Sequence, residues 1–277
     1  MSPRRTVNPA TTASDEAWHT SVTHIEPNRI LVRGYPLDEL MGRVSFADAI
    51  YLLFQGELPP PAISRIITAM LVSSVDHGAM PPSTLVARNV ATTGGPLRAA
   101  VAAGVLAFGS YHGGDVEACM QTLETGVGLV REGRSHKEAA EIVVHGLLAQ
   151  GRRVPGFGHR LHSRDPRADK LLSMAYELDL EGEHIRLLRV MERVLGAAKR
   201  TEADPIPINV DGAIAGICSD IGIESEFGNA LFIISRVPGL IAHAHEERSR
   251  ERPMRQIDPK DAVYDGPEER RVPEGRK

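Results

Sequence analysis

From residue 63 to residue 245 the apolar residues of this chain recur at helical spacing, in segments closed by glycine or proline. That periodicity excludes an extended sheet as the main element. It predicts helices over 63–75, 95–108, 116–131, 135–150, 166–178 and 183–195. A last apolar block spans 207–245, broken near Gly222 and again near Arg236-Val-Pro238-Gly239. Ahead of these, Ser45 caps a helix whose Asp48 favours the N-terminal dipole, with Ile50, Leu53 and Phe54 on one face. Gly56 and Pro59-Pro-Pro61 end it. Extended structure is confined to residues 24–36, where Glu26-Pro-Asn-Arg29 reads as a turn before Ile30-Leu-Val-Arg-Gly34. Aromatic residues make up only 4%, so the core must be built from Leu, Ile, Val and Ala.

A chain of 277 residues can bury a substantial core, as one large domain or two modest ones. Its net charge of −4 provides no field for nucleic acid. Basic residues cluster only at 152–167 and 248–255, a size suited to a small polyanion. No apolar run approaches the ~20 residues that span a bilayer. Cys119 and Cys218 sit in apolar surroundings, as small buried hydrophobes rather than a disulfide, which fits a reducing, cytoplasmic setting. Residues 1–20 lack an apolar signal region, and they and 261–277 read as flexible tails.

Three fragments place a titratable side chain beside small or turn-forming residues: Ser110-Tyr-His112-Gly-Gly114, Pro155-Gly-Phe-Gly-His159 and Ile208-Asn-Val-Asp211-Gly. Read alone, His159 is either a site histidine or a loop histidine on a basic surface, and Asp211 is a helix cap. Asp211, however, heads one of the most apolar stretches of the chain, where a carboxylate is tuned toward neutral pH. His112, with glycines behind it, is expected at the start of the following helix, whose dipole keeps the imidazole neutral. A neutral imidazole donates to a carbonyl that is becoming an enolate. Pro166 in Asp165-Pro-Arg167 suits a first helical turn, which would set Arg167 near His159 for a bidentate carboxylate contact. His77, in Asp76-His77-Gly78, is either a further site histidine or a helix C-terminal cap. Arg248, Arg250, Arg252 and Arg255 form either a solvated face or a clamp for a di- or tricarboxylate. His243 and His245 have no third ligand at a metal spacing, so no metal site is expected. No P-loop and no Gly-x-Ser-x-Gly elbow occurs.

In order along the chain, Arg33-Gly-Tyr35, Ser45-Phe46, Gly56-Glu-Leu-Pro59, Asp76-His77-Gly78, His112-Gly-Gly114, Pro155-Gly-Phe-Gly-His159, Asp165-Pro-Arg167 and Asn209-Val-Asp211 resemble the citrate synthase superfamily, which includes citryl-CoA lyases. The resemblance covers residues 24–256. It implies an all-α fold with a small N-terminal β-hairpin and a homodimer whose active sites are shared between subunits. It also implies a large domain (21–150 and 200–260) and a small one (151–199 with neighbouring helices). His112 would hold the thioester oxygen of acetyl-CoA, Asp211 would move the proton of its methyl group, and His159 would polarise the ketone of oxaloacetate. His77, Arg167, Arg248 and Arg252 (or Arg255) would hold carboxylates. Val154, Gly156, Phe157 and Gly158 would line the CoA site, with Arg164 at a phosphate. The CoA thioester would be a co-substrate, with no tightly bound cofactor.

The implied activity is citrate synthesis from acetyl-CoA and oxaloacetate. The alternatives are citryl-CoA cleavage and non-catalytic binding of CoA esters. Compactness, Asn209-Val-Asp-Gly212 and Asp258-Pro-Lys-Asp261 resemble the lyase branch, whereas His112 resembles the synthase branch. Asp115-Val-Glu117 departs from the family's usual Ala-Asn-Glu.

Overall fold

The computed structural model describes residues 18–109, 111–113, 115–159, 163–198, 206–256 and 258–271. Ser110 and Gly114 of the first fragment, and residues 1–17 and 272–277 of the two expected tails, lie outside them. The N-terminal segment is a three-stranded antiparallel meander, one strand more than a hairpin: β1 (Thr23–Glu26), β2 (Arg29–Val32) and β3 (Tyr35–Pro36). Glu26 pairs with Arg29 across a two-residue turn in which Asn28 takes φ 63°, a conformation asparagine tolerates.

Eleven helices follow among the described residues: α1 (Leu37–Leu40), α2 (Phe46–Gln55), α3 (Pro61–Ser73), α4 (Pro82–Thr92), α5 (Leu97–Leu106), α6 (Asp115–Arg131), α7 (His136–Ala149), α8 (Pro166–Glu177), α9 (Glu183–Ala198), α10 (Val210–Asp220) and α11 (Ser225–Arg250). Local chemistry sets many of their ends. Ser45 with Asp48 and Ser135 with Glu138 form capping boxes, each satisfying two backbone donors. Gly56 closes α2 in the left-handed conformation.

The core lies where α6, α8, α9 and α10 meet, filled by Val116, Leu123, Leu171, Ile185, Leu188, Ile214 and Ile217. Within α10 the run from Gly212 to Cys218 is buried on every side, as expected of a central helix. Both cysteines are free and buried, as expected.

The predicted break at Pro238 does not occur. α11 runs through it for 26 residues. A proline inside a helix removes one backbone hydrogen bond and costs about 3 kcal/mol. Packing offsets this: Ser235 Oγ bonds the Leu71 carbonyl, and Gly239 lies so close to α3's exit that a Cβ there would be 2.4 Å from the Val75 oxygen. By length and composition α11 is apolar enough to cross a membrane. It carries the buried Arg236 and Glu247, however, and packs against α3, α4, α5 and α6 as a core helix. Glu247 is wholly covered and receives Arg88 Nε at 2.6 Å and Arg255 at 2.9 and 2.7 Å, fastening the chain after α11 to α4.

A second polar node ties α6, α9 and α10. His184 is buried, with Nδ1 2.9 Å from Asp220 and Nε2 2.9 Å from Glu124. Asp220 also accepts the amides of Gly182, His184 and Ile185, which start α9. Burial opposes the imidazolium, but the two carboxylates outweigh it and raise the His184 pKa above 6.5. Such a group stabilises the fold fully below the unfolded pKa, and its contribution fades as pH rises through the folded one. Replacing His184 by Ala is expected to cost roughly 2 kcal/mol near pH 6, since it removes the buried partner of Asp220 and leaves that carboxylate with its amide donors alone. The stability difference between the native chain and His184→Ala, read from urea unfolding at several pH values, should be largest below pH 6.5 and shrink as pH rises above it. A difference independent of pH would contradict this role.

Candidate active site

The loop 155–159 and the strand-like segment 207–209 are laced together by backbone bonds. Gly158 N donates to the Pro207 carbonyl (2.8 Å), Asn209 N to the Gly156 carbonyl (3.1 Å), and Asn209 Nδ2 to the Gly158 carbonyl (3.0 Å). The contact closes only because neither Gly156 nor Gly212 has a side chain. A Cβ on Gly212 would sit 2.3 Å from the Gly156 oxygen. Asp165 adds a third strand of connection. It caps α8, takes the Arg167 guanidinium at 3.0 and 2.8 Å, and accepts the Val210 amide at 3.1 Å. Burial opposes its charge, but the Arg167 contacts outweigh this and hold Asp165 below the usual carboxylate range. The starts of α8 and α10, far apart in sequence, therefore meet at one carboxylate.

Asp211 is not the cap of α10. Asn209 is, accepting the Gly212 amide at 3.0 Å. Asp211 is thus left in the first turn with its Oδ1 fully buried and without a hydrogen-bond partner. Burial, reinforced by the carboxylate of Asp115, pushes its pKa to about 6, against the pull of Arg167 and Arg236. The dry neighbourhood read from the sequence is real.

His77 and His159 come together edge to face, ring centroids 5.5 Å apart. α3 ends at Ser73, so His77 lies beyond the helix and is not its cap. Desolvation first, then Arg167, Arg236 and His159, lower the His77 pKa and favour the neutral ring.

His112 is held from a different helix than expected. Its Nε2 lies 3.3 Å from the Ser83 amide and 2.8 Å from Ser83 Oγ, in the first turn of α4 rather than at α6. A backbone amide can only donate, so Nε2 accepts and the neutral ring carries its proton on Nδ1. Phe108 stacks on this imidazole (5.3 Å) and meets Phe232 edge-on (5.6 Å). Arg236 lies over the Phe232 ring at 4.9 Å, and a continuous path runs from His112 to the other site residues.

Arg236 went unrecognised in the sequence, where it read only as part of a helix break. It is 2% exposed, donates Nε to the Ser74 carbonyl at 2.9 Å, and has no partner for Nη1. Its charge acts on His77 and Asp211. A buried cationic donor without an acceptor is costly. The site thus holds a carboxyl oxygen and a guanidinium nitrogen that both lack partners among the described residues, a combination that an anionic ligand would complete.

The remaining sequence candidates are placed as follows. Val154 and Phe157 are buried, so their backbone rather than their side chains is presented at the loop. Arg164 is exposed and paired with Asp169. Arg248 and Arg252 are exposed. Arg248 stands in the last turn of α11, five residues beyond His243, whose Nε2 lies 3.0 Å from Asp76, the neighbour of His77. Arg255 is occupied by Glu247. Among the described residues no cluster fit for a metal ion occurs.

Comparison with known proteins bears on the family. A family model described as "Citrate synthase, C-terminal domain" matches residues 59–257. Citrate synthase 2 of Bacillus subtilis is 29% identical over 231 residues, which are 81% of this chain and 57% of that protein, so the chain spans just over half of that relative. The structure of citryl-CoA lyase from Hydrogenobacter thermophilus is similar with a TM-score of 0.83 and 42% identity, over 92% of this chain and 97% of that one. Citrate synthase from the archaeon Thermoplasma acidophilum, in ternary complex with carboxymethyl coenzyme A and oxaloacetate, gives 0.66 and 26% identity over 84% and 60%. The all-α fold, the ordered motifs and the matched span together make this chain a member of the citrate synthase family.

Proposed function

We propose that this protein breaks and forms the carbon–carbon bond between a CoA thioester and oxaloacetate, and that its working direction is cleavage of citryl-CoA to acetyl-CoA and oxaloacetate. The observation that carries the chemistry is the pair of partnerless buried atoms, Asp211 Oδ1 and Arg236 Nη1, beside His77, His159 and Arg167. The likeness over 97% of a citryl-CoA lyase supports the direction.

In cleavage, His159 takes the hydroxyl proton of the citryl group. The carbon–carbon bond breaks as the ketone of oxaloacetate forms, and the electron pair passes to the thioester as an enolate. His112, donating through Nδ1, stabilises the enolate oxygen, an effect of roughly 2.7–4 kcal/mol for one such donor. Asp211, protonated, delivers its proton to the α carbon and completes acetyl-CoA. His77, Arg167 and Arg236 hold carboxylates. The backbone of Val154, Gly156, Phe157 and Gly158 supports the CoA moiety, which serves as a substrate and not as a bound cofactor.

Synthesis of citrate, in which Asp211 starts ionised and the same steps run backward before hydrolysis, is the second reading. His112 favours it through its resemblance to the synthase branch. A homodimer fits both readings: Leu85, Leu97, Leu106 and Ile241 are exposed on α4, α5 and α11, and Arg252 would serve the second subunit's site. The two buried thiols fit a cytoplasmic protein.

Asp211→Asn should lower turnover at least ~100-fold while CoA retains its affinity, measured by steady-state kinetics and calorimetry. Near-native turnover would remove Asp211 from the reaction. The sign of the pH dependence separates the directions, because cleavage needs the acid and synthesis the base. Citryl-CoA cleavage should decline as pH rises past about 6, and condensation should decline as pH falls past about 6. Parallel pH profiles for the two reactions would contradict Asp211 as the shared proton carrier.

A further inference from the structure

Asp115 opens α6 at the end turned toward Asp211. One turn on, Cys119 lies on the same helical face. Its sulfur is packed so tightly that a Cβ on Gly156 would be 2.5 Å from it and 2.8 Å from the Gly212 Cα. Gly212 directly follows Asp211. The face of α6 that carries Asp115 and Cys119 is therefore pressed onto the first turn of α10. Burial and the carboxylates of both Asp211 and Asp115 push the Cys119 thiol upward, as expected if all three share one dry region.

Among the described residues Asp115 pairs with Arg153, at 3.8 Å. The Asp115 side chain is 28% exposed and that of Arg153 72%, so the pair leads from the half-buried carboxyl outward to solvent. Arg153 immediately precedes Val154, where the laced loop begins. Burial raises Asp115 itself, and Arg153 restrains the rise. Around Asp211 the charged groups are Asp115 from α6, Asp165 and Arg167 from the start of α8, and Arg236 from α11. Asp165 is neutralised by its bidentate contact with Arg167. The long Asp115–Arg153 contact leaves Asp115 as the carboxylate whose charge is least cancelled.

We infer that Asp115 is a positioning residue for Asp211: its carboxylate, partly masked by Arg153, sets the electrostatic field in which Asp211 gives and takes its proton. The inference rests on the reading of Asp211 as the acid–base group. It assigns a purpose to the acidic residue that stands at the start of α6, where the family resemblance leads one to expect alanine. Removing Asp115's charge makes the Asp211 carboxylate easier to form. Removing Arg153's charge makes it harder. The two changes act in opposite directions on one titration.

The test is the titration of Asp211 in the ligand-free protein, followed by carbon NMR of labelled aspartate and assigned with Asp211→Asn. Asp115→Asn should move its midpoint down and Arg153→Gln should move it up, with the pH profile of turnover following each. Arg153 is exposed, so its variant is expected to fold even if Asp115→Asn does not. Shifts in the same direction, or no shift in either variant, would overturn the inference. Absence of turnover in the unmodified protein with citryl-CoA and with acetyl-CoA plus oxaloacetate would instead overturn the proposed reaction, and the ligand-free titration would still decide the role of Asp115.

Discussion

The close approach of Gly156 to Gly212 is the constraint on which the site depends. Any side chain at Gly212 would collide with the Gly156 carbonyl, and only at that distance can the Asn209 amide reach the same oxygen. Three consequences follow from one contact. The loop ending at His159 is fixed against the segment ending at Asp211. The Asn209 side chain is positioned to cap α10, so Asp211 is released from capping. Asp165, held at the start of α8 by Arg167, closes the arrangement by taking the Val210 amide. Glycine is needed at Gly156 for a second reason, since its φ of 84° is one that other residues rarely adopt.

Burial then turns position into chemistry. α10 is surrounded by apolar packing, and its first turn inherits that dryness. A carboxylate is penalised there, a guanidinium at Arg236 is penalised nearby, and neither is relieved by the other through a hydrogen bond. The fold keeps both groups because the packed helices around them leave no easier arrangement. Such stored electrostatic cost is what a preorganised site contributes to the transfer of charge onto an enolate. His112 follows a related logic. Its tautomer is set by a backbone donor at the start of α4, which cannot reverse its role.

The parts of this structure that were legible in the sequence are those set by neighbours in the chain. Ser45 with Asp48, Pro166 in the first turn of α8 and Gly56 after α2 each act over a few residues, and each stands where it was expected; the Ser135–Glu138 box is equally local. The ordered motifs made the family recognisable. What escaped depends on packing between distant elements. Pro238 carries a local penalty that α11's neighbours override. α4, only 11 residues long and opened by consecutive prolines, has little periodic signal. Arg236 looks like a surface residue until α3 and α11 enclose it. The helix that orients His112 is about thirty residues upstream of it, beyond any local rule.

The most direct measurement is a crystal structure of Asp211→Asn with citryl-CoA bound. The expected result is a single ligand whose thioester oxygen meets His112, whose hydroxyl meets His159, whose α carbon faces residue 211, and whose carboxylates complete Arg167 and Arg236. A ligand lodged elsewhere, with the buried guanidinium still lacking an acceptor, would contradict the shared site.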